Sequence, residues 1–142
     1  MEKPLQDWVL IEGRIGMAST PNPQVSDVIA ALEALRPDVE NPFLTLVAPE
    51  SVDGDYPNYC QAFADDSGYV CEIRTSTGES FIHSRAFLPD AEGNIGGNEG
   101  PFPSLSQTIR VFTGFIADPV APPAVEAVQW VNVSDEFDAV AT

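Results

Sequence analysis

Between Tyr59 and Thr75 the chain alternates residue by residue around a short polar turn, and this restricts the folds open to it. Tyr59, Gln61 and Phe63 alternate with Cys60, Ala62 and Ala64. After Asp65-Asp66-Ser67-Gly68, Tyr69, Cys71 and Ile73 alternate with Val70, Glu72 and Arg74. A period of two belongs to a pleated strand, and a short turn ending in glycine joins two strands antiparallel. An isolated two-stranded ribbon is marginal in water, so the rest of the chain must supply strands and helices to cover it.

The flanking segments do so. Ser76-Thr77-Gly78-Glu79 predicts a second turn and Phe81–Phe87 a further strand of the meander. Upstream, Phe43–Val47 (FLTLV) reads as a buried strand and Trp8–Ile15 (WVLIEGRI) as the first strand. Ser19-Thr20-Pro21-Asn22-Pro23 reads as a loop, because its prolines remove amide donors. A helix is expected from Ser26 to Arg36, with Val25, Ile29 and Leu32 on one stripe, Val28 and Leu35 beside it, and Pro37 ending it. Gln24 or Ser26 begins it, and Asp27 suits its first turn. A second helix runs from Ser104 to Asp118 on the stripe Leu105, Ile109, Phe112 and Ile116, widened by Phe115. Pro119–Pro123 breaks the chain, and Val125–Val133 supplies a last strand around Trp130, whose indole is expected in the core.

The order β-α-β-β-β-β-α-β predicts an α+β fold, with an antiparallel sheet of about five to six strands and two amphipathic helices packed on one face. Residues 1–133 form one domain, and 134–142 an acidic, flexible tail. The glycine- and proline-rich stretch 89–103 reads as a long exposed loop.

Charge decides which functions remain. Twenty-two acidic side chains stand against six basic ones, a formal net charge of −16. With 44% hydrophobic residues and eight Phe, the chain has the material for a core and is not expected to be disordered. Such a surface repels nucleic acid and anionic membrane and speeds encounter with a basic protein. No apolar run approaches the roughly 18–20 residues of a membrane span. The start MEKPLQDWVLIEG lacks the apolar stretch and cleavage site of a signal peptide. The expected compartment is the cytoplasm, with Cys60 and Cys71 reduced.

Residues able to carry chemistry are sparse. His83 lies in an alternating strand with no nucleophile motif or orienting carboxylate around it, so it reads as a solvent-facing strand residue. Cys60 and Cys71 fall on neighbouring strands, almost opposite each other if the turn is Asp65-Asp66, and read as two small buried residues. Their spacing suggests no zinc site. Asp90–Gly96 superficially resembles a calcium loop, but Ile95 and Pro101 occupy the positions that require glycine and glutamate. The nearby glycines do not follow a strand and open a helix, so they form no dinucleotide cradle. The expectation is no catalytic residue, no metal and no cofactor.

What remains is a surface for binding. Asp53, Asp55, Asp65, Asp66, Glu92 and Glu99 lie on predicted loops, and Asp135, Glu136 and Asp138 in the tail. Together with Glu72, and with Tyr56 and Tyr69 as aromatic anchors, the loop carboxylates are the expected contact residues.

The element order and several phrases resemble a family of bacterial immunity proteins encoded beside polymorphic toxins, notably deaminase toxins. The phrases are Asp27–Leu35 (DVIAALEAL) running into Phe43–Leu46, Tyr69–Ile73 (YVCEI), Ile109–Phe112 (IRVF) and Val128–Val131 (VQWV). The similarity spans 25–133, and the 89–103 stretch and the acidic tail depart from it. The resemblance implies a non-enzymatic protein that binds a cognate toxin domain with a basic surface and covers its active site. It binds no nucleic acid itself and no membrane. Two other readings carry their own expectations. An acidic mimic of nucleic acid would bind several basic DNA-binding or defence proteins in a strongly salt-sensitive way. A small enzyme would depend on His83.

Overall fold

The computed structural model describes residues 3–49, 57–76, 81–95 and 101–136. Within them one antiparallel sheet forms from β1 Val9–Glu12, β2 Ala18–Pro21, β3 Phe43–Val47, β4 Tyr59–Asp65, β5 Gly68–Ser76, β6 Phe81–Phe87 and β7 Gln129–Asn132. Its seven strands lie in the order β2-β1-β3-β4-β5-β6-β7. The helices α1 Val25–Ala34 and α2 Leu105–Ala117 pack against each other and on one face of the sheet. The α+β class and the meander are those the alternating pattern predicts.

The extra strand comes from the N-terminal segment. β1 stops at Glu12, and Gly13–Ile15 forms a 3-10 turn closed by Gly16 in the left-handed region (φ 70°). The chain then returns as β2 through the segment expected as a loop. β2 is an edge strand, so Pro21 at its end breaks no ladder bond that the sheet needs. β1 is thereby flanked on both sides, with Leu10 opposite Thr20 on β2 and Leu46 on β3. β7 is shorter than expected because the Val128 amide closes a turn onto the Val125 carbonyl at 3.1 Å.

Both helices begin as their sequences dictate. The Gln24 amide donates to Asp27 Oδ2 at 2.8 Å at the start of α1. Ahead of α2, Ser104 Oγ accepts the Gln107 amide at 3.2 Å, and Gln107 Oε1 accepts the Ser104 amide at 2.8 Å. This reciprocal pair satisfies two amides that the first turn leaves without helical partners. α1 ends at Ala34, and Leu35 is already extended (ψ 121°). The helix thus stops short of Arg36, the residue that Pro37 biases away from helix.

The core lies between the sheet and the helices. Cys60, Ala62, Ala64 and Cys71 give β4 and β5 a floor of small side chains, which leaves room for Phe112 and Phe115 of α2. Trp8 meets Phe115 edge-to-face, with centroids 5.7 Å apart and rings at 85°. Thr108 is fully buried yet satisfied: its hydroxyl donates to the Ser104 carbonyl at 2.7 Å and accepts the Cys71 thiol at 3.5 Å. Trp130 packs against this core as expected and donates Nε1 to the Pro123 carbonyl at 2.8 Å.

The hairpin register corrects one expectation. Asp65 pairs with Gly68, so the turn is Asp66-Ser67, and Cys60 faces Ile73 while Ala62 faces Cys71. The two cysteines are diagonal neighbours, a spacing of roughly 7–8 Å. That exceeds the usual Cα separation across a disulfide.

Candidate partner-binding surface

The other face of the sheet is free of both α1 and α2, and alternation decides which side chains reach it. One row across it runs Thr45, Gln61, Glu72, Arg85 and Val131. Arg85 donates Nε and Nη2 to Glu72 Oε1 at 3.1 and 2.9 Å, and both Nη atoms to Glu136 at 3.1–3.2 Å. One cation between two carboxylates leaves this cluster with a net negative charge. Elsewhere on the face, the Arg74 guanidinium lies 4.6 Å from the ring centroids of both Tyr59 and Phe81. It also donates to the Pro57 carbonyl at 2.7 Å.

A second row on the same face is apolar: Phe43, Phe63 and Val70 stand opposite one another on β3, β4 and β5. Phe43 lies over Gly13, where a Cβ would come within 2.5 Å of Phe43 Cε1. Phe63 is 45% exposed although it lies on an inner strand. With Gln61, Val70 and Glu72 it lines a shallow groove of about 260 Å³. On β6, by contrast, Phe87 is covered by Phe102, with centroids 5.7 Å apart.

Strand directions gather carboxylates at the end of the sheet next to this row. β3 begins, β4 ends, β5 begins and β6 ends there. Exposed Asp65 ends β4 and exposed Asp66 opens the β4–β5 turn, Asp90 and Glu92 follow β6, and Asp38 and Glu40 precede β3. Asp65 Oδ2 accepts the Ser67 hydroxyl at 2.8 Å and its amide at 3.2 Å, and these bonds hold its carboxyl below the ordinary value of 3.8. Asp90 Oδ1 accepts the amides of Glu92 and Asn94, each at 2.9 Å, an arrangement that fixes the turn. Several of the six basic residues are engaged within the fold: Arg85 and Arg74 as described, and Arg14 with Glu12 at 3.1 Å.

The structure therefore separates the sequence-predicted contact residues. Asp65, Asp66 and Glu92 come to one end of the sheet. Glu72 lies on the helix-free face, bound to Arg85. Tyr69 points to the opposite side, packs against the core and donates its hydroxyl to the Leu35 carbonyl at 3.1 Å. Tyr69 and Glu72 thus cannot share a flat contact. Asp53, Asp55, Tyr56 and Glu99 lie outside the described residues. Sequence reasoning missed Phe63; its only signal was its place between Gln61 and Asp65 on one side of β4.

His83 stands across from Arg74 on the helix-free face, with its amide bonded to Ser134 Oγ at 3.0 Å and its carbonyl to the Val133 amide at 2.7 Å. Among the described residues no three His, Cys, Asp or Glu side chains converge to hold a metal. No described helix is long and apolar enough to cross a membrane. Compared with protein-family models, curated proteins and solved structures, the chain matches none of them.

Proposed function

We propose that this chain is a non-enzymatic immunity protein that binds a nucleic-acid-directed toxin, of the deaminase class, in the cytoplasm and covers its active site. The observation that carries the reading is the gathering of carboxylates at one end of the sheet, while several of the few cations are engaged inside the fold. A protein that acts on nucleic acid needs a basic surface to receive phosphates. A negative field concentrated at one end attracts that surface over several ångströms and competes for it. The toxin class rests on the resemblance of residues 25–133 to immunity proteins.

A dedicated partner is favoured over a family of basic targets by Phe63. A mimic that binds by charge alone has no use for an aromatic ring exposed on an inner strand. The test is co-expression with the product of the adjacent gene. Expression of that product alone should arrest growth, and co-expression of this chain should restore it. A harmless neighbour, or one that still kills in the presence of this chain, ends the reading.

A further inference from the structure

We infer that the partner docks on the helix-free face of the sheet at its carboxylate-rich end, with Phe63 as the apolar anchor; this rests on the binding reading above. The occupant is a basic protein surface that presents an apolar cleft ringed by Lys or Arg.

The arrangement is costly. An aromatic ring left 45% exposed on an inner strand forgoes much of the gain from its burial. Phe63 does not stand alone: Phe43 and Val70 flank it on the neighbouring strands, and the groove with Gln61 and Glu72 opens beside it. Interfaces draw most of their affinity from such a centre, enclosed by a polar rim that excludes water.

The rim identifies the occupant. Asp65 follows Phe63 by two residues on β4, Asp66 lies in the turn beyond it, and Glu72 borders the groove from β5. Glu72 already belongs to a cluster in which one guanidinium meets two carboxylates, so the cluster adds no net positive charge to the face. A second copy of this chain would bring like charges together, at a net −16 for each copy. An anionic membrane is repelled for the same reason. A cationic protein surface is attracted, and an apolar cleft within it receives the ring.

The test uses the purified full chain and, as probe, the adjacent gene's product carrying an inactivating substitution. Dissociation and association rates are measured for wild type, Phe63→Ser, Gln61→Lys and, at the far end, Val120→Ser, with circular dichroism and thermal melts confirming the fold of each. Phe63→Ser should weaken binding about thirty-fold, mostly through faster dissociation. Gln61→Lys places a cation in the groove and should slow association several-fold, while Val120→Ser binds as wild type. If wild type binds and folded Phe63→Ser binds within about two-fold of it, the anchor is overturned and the binding reading stands. Equal losses in Val120→Ser and Phe63→Ser overturn the docking face as well. If wild type does not bind the probe, both inferences fall together.

Discussion

Cys60 and Cys71 show how burial dominates a side chain's chemistry. Desolvation, opposed in part by the Thr108 hydrogen bond, pushes the Cys71 thiol from its ordinary 9.0 up to about 12. Cys60 is raised well above 9.0 by burial and then by Cys71. The unfolded chain releases these protons near pH 9, whereas the folded chain holds that of Cys71 to about 12. The stability this difference contributes is fully present below pH 9 and is lost as pH rises toward 12. Denaturation midpoints should therefore fall above pH 9, and Cys71→Ala, less stable at neutral pH, should fall less steeply. At pH 8 an aromatic disulfide reagent should leave both thiols unmodified until denaturant is added. Rapid labelling of the native chain would show that they are not buried.

At the scale of elements, the junction between β5 and the segment before α2 is the most exacting. Gly68 has φ 138°, and a Cβ there would stand 2.7 Å from the carbonyl oxygens of both Phe102 and Pro103. The closeness follows from pairing: the Tyr69 amide donates to the Pro103 carbonyl at 2.9 Å, and the Leu88 amide to the Pro101 carbonyl at 3.0 Å. Gly68→Ala should cost about 1–3 kcal/mol, read as a lower urea midpoint with an unchanged slope. An unchanged midpoint would mean that residues 101–103 can move aside without loss. This junction marks the limit of what the residues disclosed beforehand. The hairpin and both helices were legible because periods of two and 3.6 are written in side chains. The docking of 101–103 was not, because carbonyl oxygens and an absent Cβ make it. β2 was hidden by Pro21, which is tolerated only because that strand lies at the edge. The candidate surface was legible in part. Alternation placed Phe63 with Gln61 and Asp65, but whether a layer covers that face depends on which side the helices take.

For the whole molecule the net charge of −16 works against the compact state, since folding brings carboxylates closer than the expanded chain does. Raising sodium chloride from about 10 mM to about 300 mM should shorten the range of this repulsion and raise the thermal midpoint by several degrees. A midpoint that is flat or falls across that range would show that the carboxylates are already balanced locally. The same salt should slow association with a cationic partner, so stability and encounter rate should move in opposite directions. The two margins of the sheet complete the picture. β2 and β7 are each four residues long, and β2 finishes in a proline. The free backbone groups at either margin are too few to template another strand, and a second chain approaching them meets like charge. An open sheet is ordinarily an invitation to fibril growth; in this one, the shortness of its outermost strands closes that route at both sides.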